Sequence, residues 1–206
     1  MSIGTADRKT RKAKQSEKTR GALLRVARKI FAESGYSQTS LEDVAERAGV
    51  TTGAVYHQYR DKRALFQAVV EQIQAEVFQE IREKSRAKLA RHSWERLALA
   101  AELILDSFTD PVYCQIVMID GPAVLGWKTW HSIRAGHTLR HIRDALEHQM
   151  ELGQIAREPS EPLAHVMFGG LTEAGMVISH AEDKRAARKE MGAATVRVFN
   201  RLRVRT

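Results

Sequence analysis

An all-α chain in two parts is predicted by three observations. Apolar residues recur three and four positions apart along most of the sequence, while the β-branched and aromatic runs expected of strands are scarce. At 206 residues, 43% of them hydrophobic and only four proline, the chain has length enough to bury a substantial core, in one domain or two. Positive charge is uneven: residues 1–63 hold 14 Lys or Arg against 7 Asp or Glu, so a balance of +7 out of the total of +8 sits in the first third. The expected architecture is an N-terminal three-helix helix-turn-helix domain followed by a helical ligand-binding and dimerisation domain. Its parts are a basic flexible arm over 1–16, the helix-turn-helix over 17–66, and the second domain over 67–206.

Residues 1–16, with Arg8, Lys9, Arg11, Lys12 and Lys14, show no apolar periodicity and are expected to form the arm. From Glu17 to Ser34 a stripe of Leu23, Leu24, Ala27, Ile30 and Phe31 predicts a first helix, closed by Gly35, with Arg20 placed to hold a phosphate. Thr39 and Ser40 are good caps for a second helix, and Glu42 stands three residues after Thr39, the capping-box spacing. Leu41, Val44, Ala45 and Ala48 supply its apolar face, and Gly49 stands where a residue with positive φ ends it. Thr51 then caps a third helix with Ala54, Val55 and Tyr59 inward. Thr52, Gly53, Tyr56, His57 and Gln58 are left on the outer and N-terminal side. Two short helices joined this tightly make a helix-turn-helix, the unit that offers its second helix to the DNA major groove. Hydroxyls, a phenol, an imidazole and an amide, flanked by Arg60, Lys62 and Arg63, suit base edges and phosphates. Candidate DNA-binding residues are Arg20, Thr39, Ser40, Thr51, Thr52, Gly53, Tyr56, His57, Gln58 and Lys62.

The run from Gly35 to Phe66 resembles the DNA-binding segment of TetR-type transcriptional repressors. It supplies Gly35-Tyr36, Thr39-Ser40, Val44-Ala45, Ala48-Gly49-Val50, Tyr56, Tyr59 and Lys62, with Tyr59 where that family usually has Phe and Gln58 where His or Tyr is common. The resemblance is specific over about fifty residues and weak beyond them. It implies an all-helical homodimer that binds a double-stranded DNA operator, and it also favours Arg20 as a phosphate contact.

Asp61 is expected to cap a helix running to about Ser85, with Leu65, Phe66, Val69, Ile73, Val77 and Ile81 on one face and Lys62 at its start as a phosphate clamp. The charged stretch from Arg82 to Arg91 is expected to span the gap between the two parts. After Ser93, Trp94, Leu97, Ala98, Ala101, Leu105 and Phe108 mark another helix, stopped by Asp110-Pro111. Pro111 and Gly121-Pro122 are then expected to break helices in an aromatic stretch, so that its side chains line a space. Candidate effector contacts are Phe108, Tyr113, Met118, Leu125, Trp127, Trp130, His131 and Met167. Two final helices over Glu161–Ala181 and Lys184–Arg203 carry candidate dimer-interface residues: Leu163, Met167, Gly170, Leu171, Ala174, Val177, Ile178, Met191, Ala194, Val198 and Leu202.

Other chemistry is poorly supported. His137 and His141 have an i, i+4 spacing, but no third ligand converges on them and Arg140 and Arg143 oppose a cation, so no metal and no cofactor is expected. Cys114 is alone, which excludes an internal disulfide and fits a reducing cytoplasm; beside Tyr113 it reads as a small buried hydrophobe. No apolar run is long enough to span a membrane, and no nucleophile elbow, phosphate loop or paired carboxylate points to an enzyme. The expected function is therefore a homodimeric regulator, a repressor of a palindromic operator, released by a small apolar or aromatic effector. The alternatives are a DNA-binding dimer without small-molecule control and a helical enzyme.

Overall fold

The computed structural model describes the backbone of residues 3–88 and 94–204, and the side chains of these apart from residues 3–13, 87, 88 and 137. Among the described residues every regular element is helical, the one extended pairing being an isolated antiparallel bridge between Ile155 and Arg203. The chain divides into two compact units, Met1–Val70 and Glu71–Thr206. The division falls within a helix, a few residues after the expected boundary at 66/67.

In the first unit, α1 (Ile3–Ser34) buries Leu23, Ala27, Ile30 and Phe31. The helix begins at Ile3, where an irregular arm was expected over 1–16. Ala, Lys, Arg, Gln and Glu dominate that stretch, and all propagate a helix without an apolar face. The helix ends at Gly35, whose φ is 74°. The next helix, α2 (Leu41–Ala48), is capped one residue later than expected. The Asp43 N–H donates to Ser40 Oγ at 3.0 Å and the Ser40 N–H donates to Asp43 Oδ2 at 2.9 Å, so the box is Ser40 with Asp43 rather than Thr39 with Glu42. Thr39 is unavailable because it is buried and its hydroxyl donates to the Gly35 carbonyl at 2.8 Å.

Gly49 closes α2 in the left-handed region, φ 65° and ψ 35°. Its N–H is shared by the Ala45 and Glu46 carbonyls, and the Val50 N–H reaches Ala45 O at 3.0 Å. After this turn α3 (Thr52–Gln58) is capped by Thr51, whose Oγ1 accepts from the Ala54 N–H at 3.2 Å. Val44, Ala45 and Val55 fill the crossing. The phenyl ring of Phe66 meets Phe31 and Tyr36 edge-on, each with ring centres 5.1 Å apart. Phe66 belongs to α4 (Lys62–Lys88), whose N-terminus is capped by Asp61 Oδ1 accepting from the Ala64 N–H at 2.7 Å. The charged stretch expected to span the two parts continues this helix to Lys88; residues 89–93 lie outside the described residues.

The second unit takes the later turns of α4 together with α5 (Trp94–Ser107), α6 (Pro111–Tyr113), a π-helical segment Cys114–Asp120, α7 (Gly121–Glu151), α8 (Ser160–His180) and α9 (Lys184–Asn200). Pro111 starts α6, with Asp110 Oδ1 accepting from the Tyr113 N–H at 2.7 Å. Gly121-Pro122, expected to break the chain's helical path, instead leaves it helical and widened. In the i→i+5 ladder of a π-helix the Val117 carbonyl would take the N–H of residue 122, which proline lacks. The indole N–H of Trp130 takes that place, donating to Val117 O at 2.6 Å. Residue 121 must be small for this, since a Cβ there would stand 2.9 Å from the Trp130 ring. The departure from helical geometry comes later, at Gly126, φ 73° and ψ 157°.

Ion pairs tie the outer faces of this unit. Arg143 reaches Asp144 at 3.3 Å, Glu161 at 3.4 Å and Glu147 at 3.8 Å, joining α7 to α8. Arg188 of α9 holds Glu102 at 2.5 Å and Asp106 at 2.8 Å, joining it to α5. Cys114 is buried, its thiol donating to the Phe108 carbonyl at 2.9 Å.

Candidate nucleic-acid interface and effector cavity

The residues expected to meet DNA separate into two groups. Arg20, Thr51, Gly53, Tyr56 and His57 are exposed, with Tyr56 at 51% despite its ring, and Thr52 is half-buried beside them. A large aromatic side chain left half open on a seven-residue helix offers that open half to a partner surface. The second group is already engaged. Thr39 is 2% exposed, Ser40 is committed to the cap of α2, and Gln58 Nε2 donates to Ser16 Oγ at 2.8 Å. Lys62, expected to clamp a phosphate, donates to the Tyr36 carbonyl at 3.0 Å and the Thr39 carbonyl at 2.8 Å, and stands 4.2 Å from the Tyr36 ring centre. Its ammonium holds the loop ahead of α2 because two carbonyls converge there, a use that spacing in the sequence does not show.

The second unit contains a cavity of about 540 Å³, within the range of small-molecule sites. Gln74, Val77, Phe78 and Ile81 of α4 form one wall, Leu97, Ala101 and Ile104 of α5 a second, Arg134, His141 and Ile142 of α7 a third, and Met167, Phe168 and Leu171 of α8 a fourth. Of the eight expected effector contacts, only Tyr113 and Met167 line it. Phe108, Met118, Leu125 and Trp130 are close-packed core residues away from its surface, and Trp127 lies 65% exposed. The helical path continues through 111–125 and buries Met118 and Leu125 along it, while Trp130 is held by its bond to the Val117 carbonyl. His131 is half-buried between Trp127, 5.2 Å away, and Phe168, 5.5 Å away. Burial pushes its pKa down, and the neighbouring His165 and Arg134 push the same way.

Sequence reasoning missed the α4 wall and Arg134. Val77 and Ile81 appear in the sequence as an ordinary buried stripe, and nothing in periodicity distinguishes a wall from a core. For Arg134 a signal existed: it stands four residues after Trp130 and four before Thr138, on a face otherwise aromatic or uncharged. Its guanidinium carbon lies 4.8 Å from the Trp130 ring centre, 5.6 Å from Phe168 and 5.7 Å from Phe108, and Nη1 donates to Thr172 Oγ1 at 3.2 Å.

The expected dimer-interface residues also separate. Met167, Leu171, Ala174 and Ile178 are 3% exposed or less, because they face α5 and α7 within the unit's own core, and so are corrected to core residues. Gly170 and Val177 are exposed on the opposite face of α8, where Val166 is 72% and Val177 44% exposed, and no side chain stands over Gly169 or Gly170. Leu163, Met191, Ala194 and Leu202 are half-buried and Val198 is 64% exposed. Among the described residues no group of three His, Cys, Asp or Glu side chains could hold a metal ion, and no helix is long and apolar enough to cross a membrane.

Comparisons with known proteins agree with this geometry. Residues 23–69 match the family model for bacterial regulatory proteins of the tetR family, and residues 94–202 match the tetracyclin repressor-like C-terminal domain. The transcriptional regulator UidR of Escherichia coli strain K12 is 26% identical over 181 residues, covering 82% of this chain and 85% of UidR. The regulator AcrR of Shigella flexneri is 45% identical over 62 residues, 30% of this chain and 29% of AcrR. A crystal structure of a TetR-family regulator from Pectobacterium atrosepticum superposes with a TM-score of 0.81 at 32% identity, covering 93% of this chain and 97% of that one.

Proposed function

This chain belongs to the TetR family of bacterial transcriptional regulators, and from that premise we propose that it is a homodimeric, effector-responsive repressor of a palindromic operator. Its family and fold are those of regulators and not of enzymes. The observation that supports the proposal is that α4 runs through both units: its first turn, capped by Asp61, follows α3 in the first, and its later residues Gln74, Val77, Phe78 and Ile81 wall the cavity in the second. A molecule that fills the cavity moves α4, and with it the α3 helices that read the two half-sites, about 34 Å apart on one face of the duplex. To change occupancy from 99:1 to 1:99 the effector favours the released conformation by about 5.5 kcal/mol, an amount a largely buried ligand supplies.

The proposed dimer surface is the open face of α8 and α9. Val166, Gly169, Gly170 and Val177 on one helix and Ala194 and Val198 on the other make an apolar stripe with two glycines that let a partner helix approach closely. In this assembly Arg20, Thr51, Thr52, Gly53, Tyr56 and His57 meet DNA, with Tyr56 and His57 nearest the bases and Arg20 on phosphate, and the chain works in the bacterial cytosol.

Titration of the full-length protein against labelled DNA from upstream of its own gene, at several salt concentrations, tests the proposal. Expected are a footprint with two-fold symmetry and an affinity that falls roughly as [salt] to the power −0.9 for each phosphate contacted. A salt-independent response without a footprint overturns DNA binding, and a monomer in sedimentation at the concentrations of the titration overturns the dimer.

A further inference from the structure

Among the described residues Arg134 is the one charged residue that is buried. It is 4% exposed, lines the cavity, and has its Nε buried without a hydrogen-bond partner. Among the described residues Thr172 is its one hydrogen-bond partner, and that hydroxyl donates its own proton to the Phe168 carbonyl at 2.9 Å. Arg188, less deeply buried at 17%, shows how this protein ordinarily treats an enclosed guanidinium: two carboxylates and a carbonyl receive it. A cation removed from water without an opposing charge costs several kcal/mol, and three aromatic faces offset only part of that. The guanidinium is held in place in the wall of a void large enough for an organic molecule.

We propose that Arg134 is the anchor for the acidic group of the effector, so that the effector is an organic acid: a carboxylate on an apolar, aromatic-sized body. The inference rests on the effector-responsive function proposed above and adds the ligand's chemistry to it. The planar end of the Arg134 guanidinium, offered through its two terminal Nη atoms while Nε stays enclosed, matches a carboxylate in a two-bond geometry. Phe78, Ile104, Met167 and Leu171 supply the apolar walls that take the rest of the molecule. At the cavity's edge Arg82, Arg86 and Arg96 stand against one acid, Asp144, itself paired with Arg143, which favours arrival of an anion over a cation.

The test is direct titration of the full-length protein, without DNA, by quenching of tryptophan fluorescence and by calorimetry. The probes are naphthalene-2-carboxylate and 4-phenylbutanoate, each beside its uncharged amide of the same shape. The expected result is saturable binding of at least one acid, about 10- to 100-fold tighter than its amide, because a charge-assisted pair is present only for the acid. The Arg134→Met variant loses that preference, Arg134→Lys keeps part of it, and the melting temperature of Arg134→Met without ligand is equal to or above that of the parent. Absence of binding of either acid at millimolar concentration, or amides bound as tightly as acids, overturns the proposal. So does an Arg134→Met variant that melts earlier yet keeps the acid preference, since Arg134 is then a structural stack against Trp130 and Phe168. Because no DNA enters this titration, a protein that binds the acids but no operator would sink the regulator proposal and leave this one standing.

Discussion

The two units treat volume and charge in opposite ways. In the first, Phe31, Tyr36 and Phe66 meet at ring separations of 5.1 to 6.0 Å, and Leu23, Ala27, Val44 and Val55 are fully enclosed, so the core is closed and charge faces outward. In the second, the helices leave about 540 Å³ open, with a buried arginine in its wall. A densely packed interior transmits displacement and fixes geometry, which suits an element that must present α3 in one pose. An interior with a void lacks contacts on one side of its walls, and those walls are where a bound molecule gains the most.

The contrast is sharpest under large-to-small and small-to-large changes. Phe66→Ala removes the ring on which Phe31 and Tyr36 both rest and is expected to cost about 3–5 kcal/mol, unfolding the first unit in urea at markedly lower midpoint. Ala27→Leu, adding volume to the closed core, is expected to cost about 1–3 kcal/mol, whereas Ala100→Leu, pointing added volume at the cavity, is expected to change stability by less than about 1 kcal/mol. Equal costs for the two alanine variants in the same melt would show that the cavity is not an unfilled space and would break the comparison.

The smallest expected effect is on pH dependence. Burial and the charges of His165 and Arg134 place the His131 pKa below its ordinary value near 6.5. The unfolded chain therefore binds a proton first as pH falls, so stability declines from about pH 6.5 downward until the folded-state pKa is passed, and is unaffected above. Melting temperature followed from pH 8 to pH 5 is expected to fall less steeply in His131→Gln than in the parent; parallel curves would remove His131 from the account.

How far each unit could be foreseen follows from the range of the forces that shape it. Caps, the Gly49 turn and the apolar stripes of α2 and α3 act within a few residues, so Tyr56 and His57 could be assigned to an open helix face from the sequence alone. Even there a competing local bond, from Thr39 to the Gly35 carbonyl four residues back, moved the cap by one position, and the two distant carbonyls on Lys62 claimed a side chain expected at a phosphate. In the aromatic stretch the expectation failed for a longer-range reason. The indole of Trp130 replaces the hydrogen bond that Pro122 withholds, thirteen residues from its acceptor, and so keeps a helix where local rules end one. Met118 is buried on that path, while Trp127, directly after the departure at Gly126, is exposed.

From the order of residues alone came the all-helical class, the helix-turn-helix, the outward face of α3 and the concentration of positive charge at that end, because each depends on periodicity and near neighbours. Tertiary structure alone decided where the helices leave a void, that α4 walls it, which half of the α8 stripe is already buried at home, and that Arg134 stands in the cavity wall without a carboxylate partner among the described residues. Those are properties of surfaces brought together from distant parts of the chain, and whether two such surfaces touch or stop short is set by packing that no local pattern encodes.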